Sequence, residues 1–185
     1  MNRQNLFIIS IIIIVGAVLF LGLKPPSTYG TKAGIPHDDQ LPKLYVRRIV
    51  DGDTIVLSDG TKVRLIGVDT PEIHNSEKLL KDSRRSGRDI RTIQRMGSRA
   101  KEFTKRKCLG KAVRLEYDVE RKDRYGRTLA YVRLEDGALL NAEIIRSGYG
   151  RLMTIPPNVK YADLFLNLER EARKGSKGLW GDVAQ

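Results

Sequence analysis

The chain has 185 residues, 34 basic and 22 acidic, for a formal net charge of +12. Cys108 is its single cysteine, so no intrachain disulfide can form and a disulfide-stapled fold is excluded. The positive charge bears on partners and not on fold: nucleic acid first, an anionic membrane surface second.

In chain order, residues 6–23 carry no charge and are rich in Ile, Leu and Val. As a helix they would span roughly 27 Å, close to the hydrocarbon thickness of a bilayer. No polar face interrupts them, which excludes an ordinary core helix. An uncleaved transmembrane anchor and a secretory signal segment both fit. The run exceeds the usual ~7–15-residue signal core, and no small-x-small site follows it, so the anchor is favoured. Lys and Arg are nearly balanced on its two sides; the short N-terminal tail places the N-terminus inside and the rest outside the cytoplasm, membrane-anchored or, after signal cleavage, secreted. Residues 24–42 hold four prolines and two glycines with few large apolar groups, and read as a flexible tether.

Residues 43–181 read as one domain of a size that builds its own core. Apolar alternation predicts strands over 44–50, 54–57, 63–68, 113–119 and 129–134, with a hairpin turn at Asp59-Gly60 and Asp136-Gly137 ending the fifth strand. Five short strands in this order suggest a closed or nearly closed barrel. Three helices complete the α+β reading. Ile90, Ile93, Met96, Ala100 and Phe103 recur at helical spacing, with Gly97 a point of possible interruption. Leu139, Leu140, Ile144 and Ile145 mark a second helix stopped by Gly148, and Leu164, Phe165, Leu168 and Ala172 a third stopped by Gly175. Cys108 reads as a small apolar residue ending a helix.

Three segments mix carboxylates and guanidinium groups with turn formers: Asp51-Gly52-Asp53-Thr54, then Arg64 followed by Asp69-Thr70-Pro71-Glu72, then Asp123-Arg124-Tyr125-Gly126-Arg127. Together they offer oxygens for a hard metal ion, a carboxylate for water and two arginines for phosphate. Each acid taken alone is an ordinary turn or cap residue. His74 has no second histidine nearby in sequence and reads as a surface residue.

These segments, in this order and spacing, resemble the staphylococcal nuclease (thermonuclease) family over roughly residues 43–181. The likeness extends through Thr128-Leu129-Ala130-Tyr131, the run from Gly97 to Lys105, and the Gly178-Leu179-Trp180 ending. The resemblance implies a five-stranded OB-fold barrel with three helices. It implies a calcium-dependent hydrolase of DNA and/or RNA with little base specificity and 3′-phosphorylated products. It assigns Asp53 and Asp69 as metal carboxylates, Thr70 as a backbone-carbonyl ligand, Glu72 as the residue that orients or deprotonates water, and Arg64 and Arg127 as phosphate binders. Tyr125 stands where it can bond a terminal phosphate or stack on a base, or else cover the barrel edge. Asp51 stays outside the ligand set, as a tuning group or a turn former. Two carboxylates are few for tight calcium binding, so weak, substrate-assisted binding is expected.

Two departures from the family stand out. Residues 73–96 look like an insertion, and residues 78–107 hold 12 basic and 3 acidic side chains. This stretch reads as a cationic flap or helix tracking nucleic acid, a surface for anionic lipid, or a solvated loop. The segment after Arg151 lacks the substrate-facing tyrosines of the family's best-known member, which puts base stacking in question. The alternative to an enzyme is a non-catalytic OB-fold nucleic-acid-binding module at the membrane surface. No protein partner is implied.

Overall fold

In β1 (Leu44–Asp51), Val46 and Ile49 both face the core although three positions apart, a spacing that plain alternation forbids. Register shifts against β2 (Thr54–Leu57) resolve this, because an extra residue on the bulged strand lets both side chains turn inward. This is a computed structural model, and it describes residues 43–183. The anchor or signal expected at 6–23 and the tether expected at 24–42 lie outside the described residues. Contacts divide the chain into residues 1–41 and 42–185, and the fold is that of the second unit.

β1 and β2 are followed by β3 (Lys62–Leu65), and with β5 (Ala112–Glu116) and β6 (Thr128–Leu134) they close a barrel in the order β1-β2-β3-β6-β5. Only the β3–β6 pairing is parallel. Closure leaves the barrel no free edge to pair with another chain. The interior is filled by Val46, Ile55, Leu57, Val63, Leu65, Ala130 and Val132, all essentially inaccessible to water. Each such Leu or Ile stabilises the fold by roughly 1.5–3 kcal/mol through burial.

The expected strand over 63–68 is two strands. The chain breaks at Gly67, whose φ of +77° suits a residue without Cβ, and a Cβ there would lie 2.7 Å from the Phe165 ring. Beyond the break, β4 (Gly67–Asp69) leaves the barrel and pairs with β7 (Arg151–Met153) in a separate two-stranded sheet. Buried Asn141 fixes the departure: its amide donates to the Ile66 carbonyl at 2.8 Å, while its oxygen accepts from the Val132 N–H at 2.9 Å. The strand expected over 113–119 ends earlier, at Glu116.

Four α-helices, not three, stand among the described residues. α1 (Glu77–Ser86) lies within the basic insertion; Ser76 caps its start and Gly87, in the left-handed region, its end. α2 (Ile90–Cys108) begins at the Asp89 cap and runs unbroken through Gly97. α3 (Leu140–Arg146) and α4 (Ala162–Lys174) end near Gly148 and at Gly175, as expected. A 3-10 turn, Gly178–Val183, follows. No helix among the described residues is long and apolar enough to cross a membrane.

Candidate active site

Helix α2 braces the two turns that carry the acidic residues. A Cβ on Gly97 would lie 2.6 Å from the Pro71 carbonyl oxygen, so the helix touches the Pro71–Glu72 backbone directly. Gly97 is therefore a close-approach residue, which explains a glycine inside a helix that it would otherwise weaken by about 1 kcal/mol. One turn on, Ala100 packs where a Cβ on Gly52 would fall, at 2.9 Å. Thr104 Oγ1 donates to the Gly52 carbonyl at 2.7 Å. Three small or hydroxylated residues on one helix face thus set the relative position of the Asp51–Thr54 turn and the Asp69–Glu72 segment.

The two turns meet through Asp53. Its Oδ2 accepts from the Thr70 N–H at 3.0 Å and from Thr70 Oγ1 at 3.1 Å, and lies 2.9 Å from Arg64 Nη1. Its Oδ1 accepts only from Thr54 Oγ1, at 3.0 Å, which leaves a lone pair. Asp69 is 6% exposed and is held at Oδ2 by Arg151 Nη2 at 2.8 Å. Asp69 Oδ1 is buried without a hydrogen bond; Lys78 Nζ stands 2.8 Å away as an ion pair out of hydrogen-bond alignment. Burial pushes the Asp69 carboxyl up, but Lys78 and Arg151 outweigh burial and hold it below the usual range. Lys78 responds in kind: burial lowers it, and Asp69 and Glu72 raise it by more. Asp51, behind the pair, is pushed up to about 7, first by burial and then by repulsion from Asp53.

Lys78 also bonds Glu72 Oε1 at 2.9 Å and the Thr70 carbonyl at 3.2 Å. Glu72 is about a quarter exposed at its side chain, so water reaches it. Arg64 is nearly buried and makes its close contacts through Nη1, to Asp53 and to the Val68 carbonyl at 2.7 Å. Its Nη2, 4.0 Å from Asp69 Oδ1, keeps donors in reserve. Arg127 precedes β6, two residues before Leu129, which pairs with Arg64. Arg127 Nε donates to Asp123 Oδ2 at 2.6 Å, which orients the guanidinium.

The expected residues Asp53, Arg64, Asp69, Thr70 and Glu72 are therefore brought together, with Arg127 at the end of the turn that leads into the adjoining strand β6. Tyr125 is 69% exposed in its turn, with the Arg124 guanidinium 4.8 Å from its ring centroid, and covers no barrel edge. His74 is exposed, and Cys108 is buried with its thiol pushed up to about 12 by burial. Among the described residues no three His, Cys, Asp or Glu side chains converge as a metal cluster. Asp69 Oδ1 and the Thr70 carbonyl face one point, Lys78 Nζ, and Asp53 is bonded to Thr70 and paired with Arg64, so the candidate donors are all oxygens, one of them a buried carboxylate oxygen lacking a hydrogen bond. That chemistry fits a hard divalent cation completed by water and substrate.

Sequence reasoning missed Lys78 and Arg151. Lys78 was one of 12 basic residues in residues 78–107, with nothing to single it out. Arg151 becomes visible only through the register of β7, where it pairs with Asp69. A cavity of about 290 Å³ lies beside the site, bordered by Pro71, Arg85, Arg88, Met96, Arg151 and Trp180.

Comparison with known proteins agrees with this geometry. The model for the staphylococcal nuclease homologue family matches residues 62–182. The chain is 41% identical over 138 residues to a thermonuclease of Staphylococcus intermedius, covering 73% of this chain and 74% of that protein. It is 35% identical over 177 residues to a thermonuclease of Staphylococcus hyicus, covering 93% and 96%. Endonuclease YncB of Bacillus subtilis is 34% identical over 157 residues, covering 80% and 68%.

Proposed function

The chain belongs to the staphylococcal nuclease family and hydrolyses phosphodiester bonds, and from that premise we propose that it is a calcium-dependent endonuclease of DNA and/or RNA with 3′-phosphorylated products. The observation that carries this reading is the meeting of Asp69 Oδ1, buried and without a hydrogen bond, with the Thr70 carbonyl around Lys78 Nζ, while Asp53 is bonded to Thr70. Calcium bound there by Asp53, Asp69 and the Thr70 carbonyl would supply Lewis-acid stabilisation of the phosphate.

The remaining chemistry belongs to the chain. Glu72 orients a water molecule and accepts its proton as the water oxygen bonds to phosphorus. The bond to the 5′ oxygen breaks, that oxygen takes a proton from solvent water and leaves as a 5′ hydroxyl, and Glu72 returns its proton to solvent. Arg64 and Arg127 donate to the equatorial oxygens, where charge builds as the reaction proceeds. Asp123 holds Arg127 ready for this. Exposed Lys81, Arg84, Arg85, Arg91 and Arg95 on α1 and α2 supply a sequence-independent grip on the nucleic-acid backbone.

We also propose that residues 6–23 tether the enzyme to a membrane with its nuclease domain outside the cytoplasm, where calcium supply matches a weak site. Intact mass of the exported protein tests this: retention of residues 1–23 supports the tether, and their removal supports secretion. The nuclease reading is tested by incubating the full chain with single-stranded DNA in calcium and in chelator, with end-group analysis. Cleavage in calcium alone, leaving 3′-phosphates, is the expected result; equal cleavage in chelator overturns the calcium requirement, and 5′-phosphates overturn the direction of attack.

A further inference from the structure

We infer that Lys78 is a built-in occupant of the cation site: in the metal-free protein its ammonium takes the oxygens a divalent cation needs, and the cation binds by displacing it. The inference rests on the calcium reading above and adds a residue of this chain's insertion that sets how easily the site is filled.

The contacts are specific. Lys78 Nζ lies 2.8 Å from Asp69 Oδ1, 2.9 Å from Glu72 Oε1 and 3.2 Å from the Thr70 carbonyl oxygen. These are one carboxylate and one carbonyl of the candidate metal set, and the carboxylate assigned to water. An ammonium has three N–H donors and no acceptor; here it donates to Glu72 and to the Thr70 carbonyl and faces Asp69 Oδ1 as an ion pair, so it stands among three oxygens as a small cation does. Both cations draw on the same lone pairs and repel each other at contact distance, so the two occupancies exclude one another.

The fold delivers Lys78 to this point. It stands in the first turn of α1, between the Ser76 cap and Leu79, which is 1% exposed and anchors the helix. Asp82, one turn on, lies 3.7 Å from Arg151 Nη2, the group that holds the other oxygen of Asp69. Helix α1 therefore reaches Asp69 directly through Lys78 and indirectly through Asp82 and Arg151. The Lys78 side chain is nonetheless 38% exposed, and its flexible stem permits an exit to solvent while Leu79 stays buried. Arg64 and Arg151 remain to hold the carboxylates when it leaves. Filling the site then carries the cost of releasing Lys78, which weakens binding of the cation in the absence of nucleic acid.

The test is calorimetric titration of the full chain with calcium chloride alone, comparing wild type, Lys78→Met and the exposed-helix control Lys81→Met. Lys78→Met is expected to bind calcium about five-fold more tightly, as suits loss of one partly exposed ion pair, with Lys81→Met unchanged. Calcium binding that is equal or weaker in Lys78→Met overturns the inference while leaving the calcium reading intact. Absence of calcium binding in all three proteins overturns both. A second measurement needs no variant: acetylation of Lys78 Nζ relative to Lys81 in wild-type protein, read by peptide mass spectrometry. Calcium is expected to raise the Lys78 yield several-fold, and an unchanged ratio overturns displacement.

Discussion

Asp69 and Glu116 are both carboxylates ringed by cations, yet they are finished differently. Glu116, on the barrel wall, accepts from Arg133 Nε at 2.8 Å and from the Tyr161 hydroxyl at 2.7 Å, with Lys160 also against it. Arg133 donates to the Tyr161 oxygen in turn, so the cluster closes on itself and both Glu116 oxygens are satisfied. Asp69 is more deeply buried and has an oxygen without a hydrogen bond, faced by an ammonium on a flexible stem. A fully satisfied network adds rigidity. A buried oxygen paired with a movable ammonium but lacking a hydrogen bond is open to exchange for another cation, and this separates a structural cluster from a working site.

The comparison is broken most severely by removing the groups that act on substrate. Arg127→Ala should lower turnover by about 10²–10³-fold, and Glu72→Gln by a similar factor, in a cleavage assay on single-stranded DNA. Both side chains are about three-quarters buried in contacts of their own, Arg127 with Asp123 and Glu72 with Lys78, but neither lies in the barrel core, so thermal midpoints should stay close to wild type. A change of similar size in the midpoint would move these residues into the structural class.

Gly97→Ala comes next. Its Cβ would stand 2.6 Å from the Pro71 carbonyl, a backbone atom that cannot swing aside. Overpacking there should destabilise the domain by about 1–3 kcal/mol in denaturant and reduce cleavage as the Glu72 segment shifts. Gly126→Ala in the Arg127 turn has open space around it but a φ of +76°, and so should destabilise without displacing Glu72.

Proton linkage distinguishes the two clusters further. Asp51, behind the site, is raised from 3.8 to about 7, so the folded state holds its proton more tightly than the unfolded chain. Its contribution is full below about 4 and is lost as pH rises through 7. Asp51→Asn should therefore flatten the fall in stability between those values in chelator. Glu116 is lowered from 4.5 to about 2: burial raises it, and Lys160, Tyr161 and Arg133 outweigh burial. Its contribution is present above about 4.5 and disappears as pH falls toward 2, so Glu116→Gln should flatten only the acid limb. At neutral pH the same variant should cost no more than ~1 kcal/mol, the scale of a partly exposed ion pair.

The barrel and the site were legible in the sequence to different depths. Strand alternation and the ordered motifs located five barrel strands and the set from Asp53 to Arg127, because apolar period and turn chemistry are local properties. The split at Gly67 was not legible, since 63–68 alternates as one strand and the partners that mark the break, Asn141 on the Ile66 carbonyl and Phe165 against Gly67, are distant in sequence. The helix in the basic insertion was obscured by its charge density, with Leu79 its one buried residue. Lys78 and Arg151 escaped notice because their roles come from contacts that sequence pattern does not show: Lys78 folds back onto Asp69, Thr70 and Glu72, and Arg151 reaches Asp69 across the β4–β7 register.

The most direct test compares Asp69→Asn, Glu116→Gln and wild type in single-stranded DNA cleavage across a calcium titration that begins in chelator. The account predicts no cleavage in chelator, superimposable calcium curves for wild type and Glu116→Gln, and a curve for Asp69→Asn shifted to much higher calcium or flat. Asp69→Asn cleaving at the wild-type rate, at the wild-type calcium level, would contradict it.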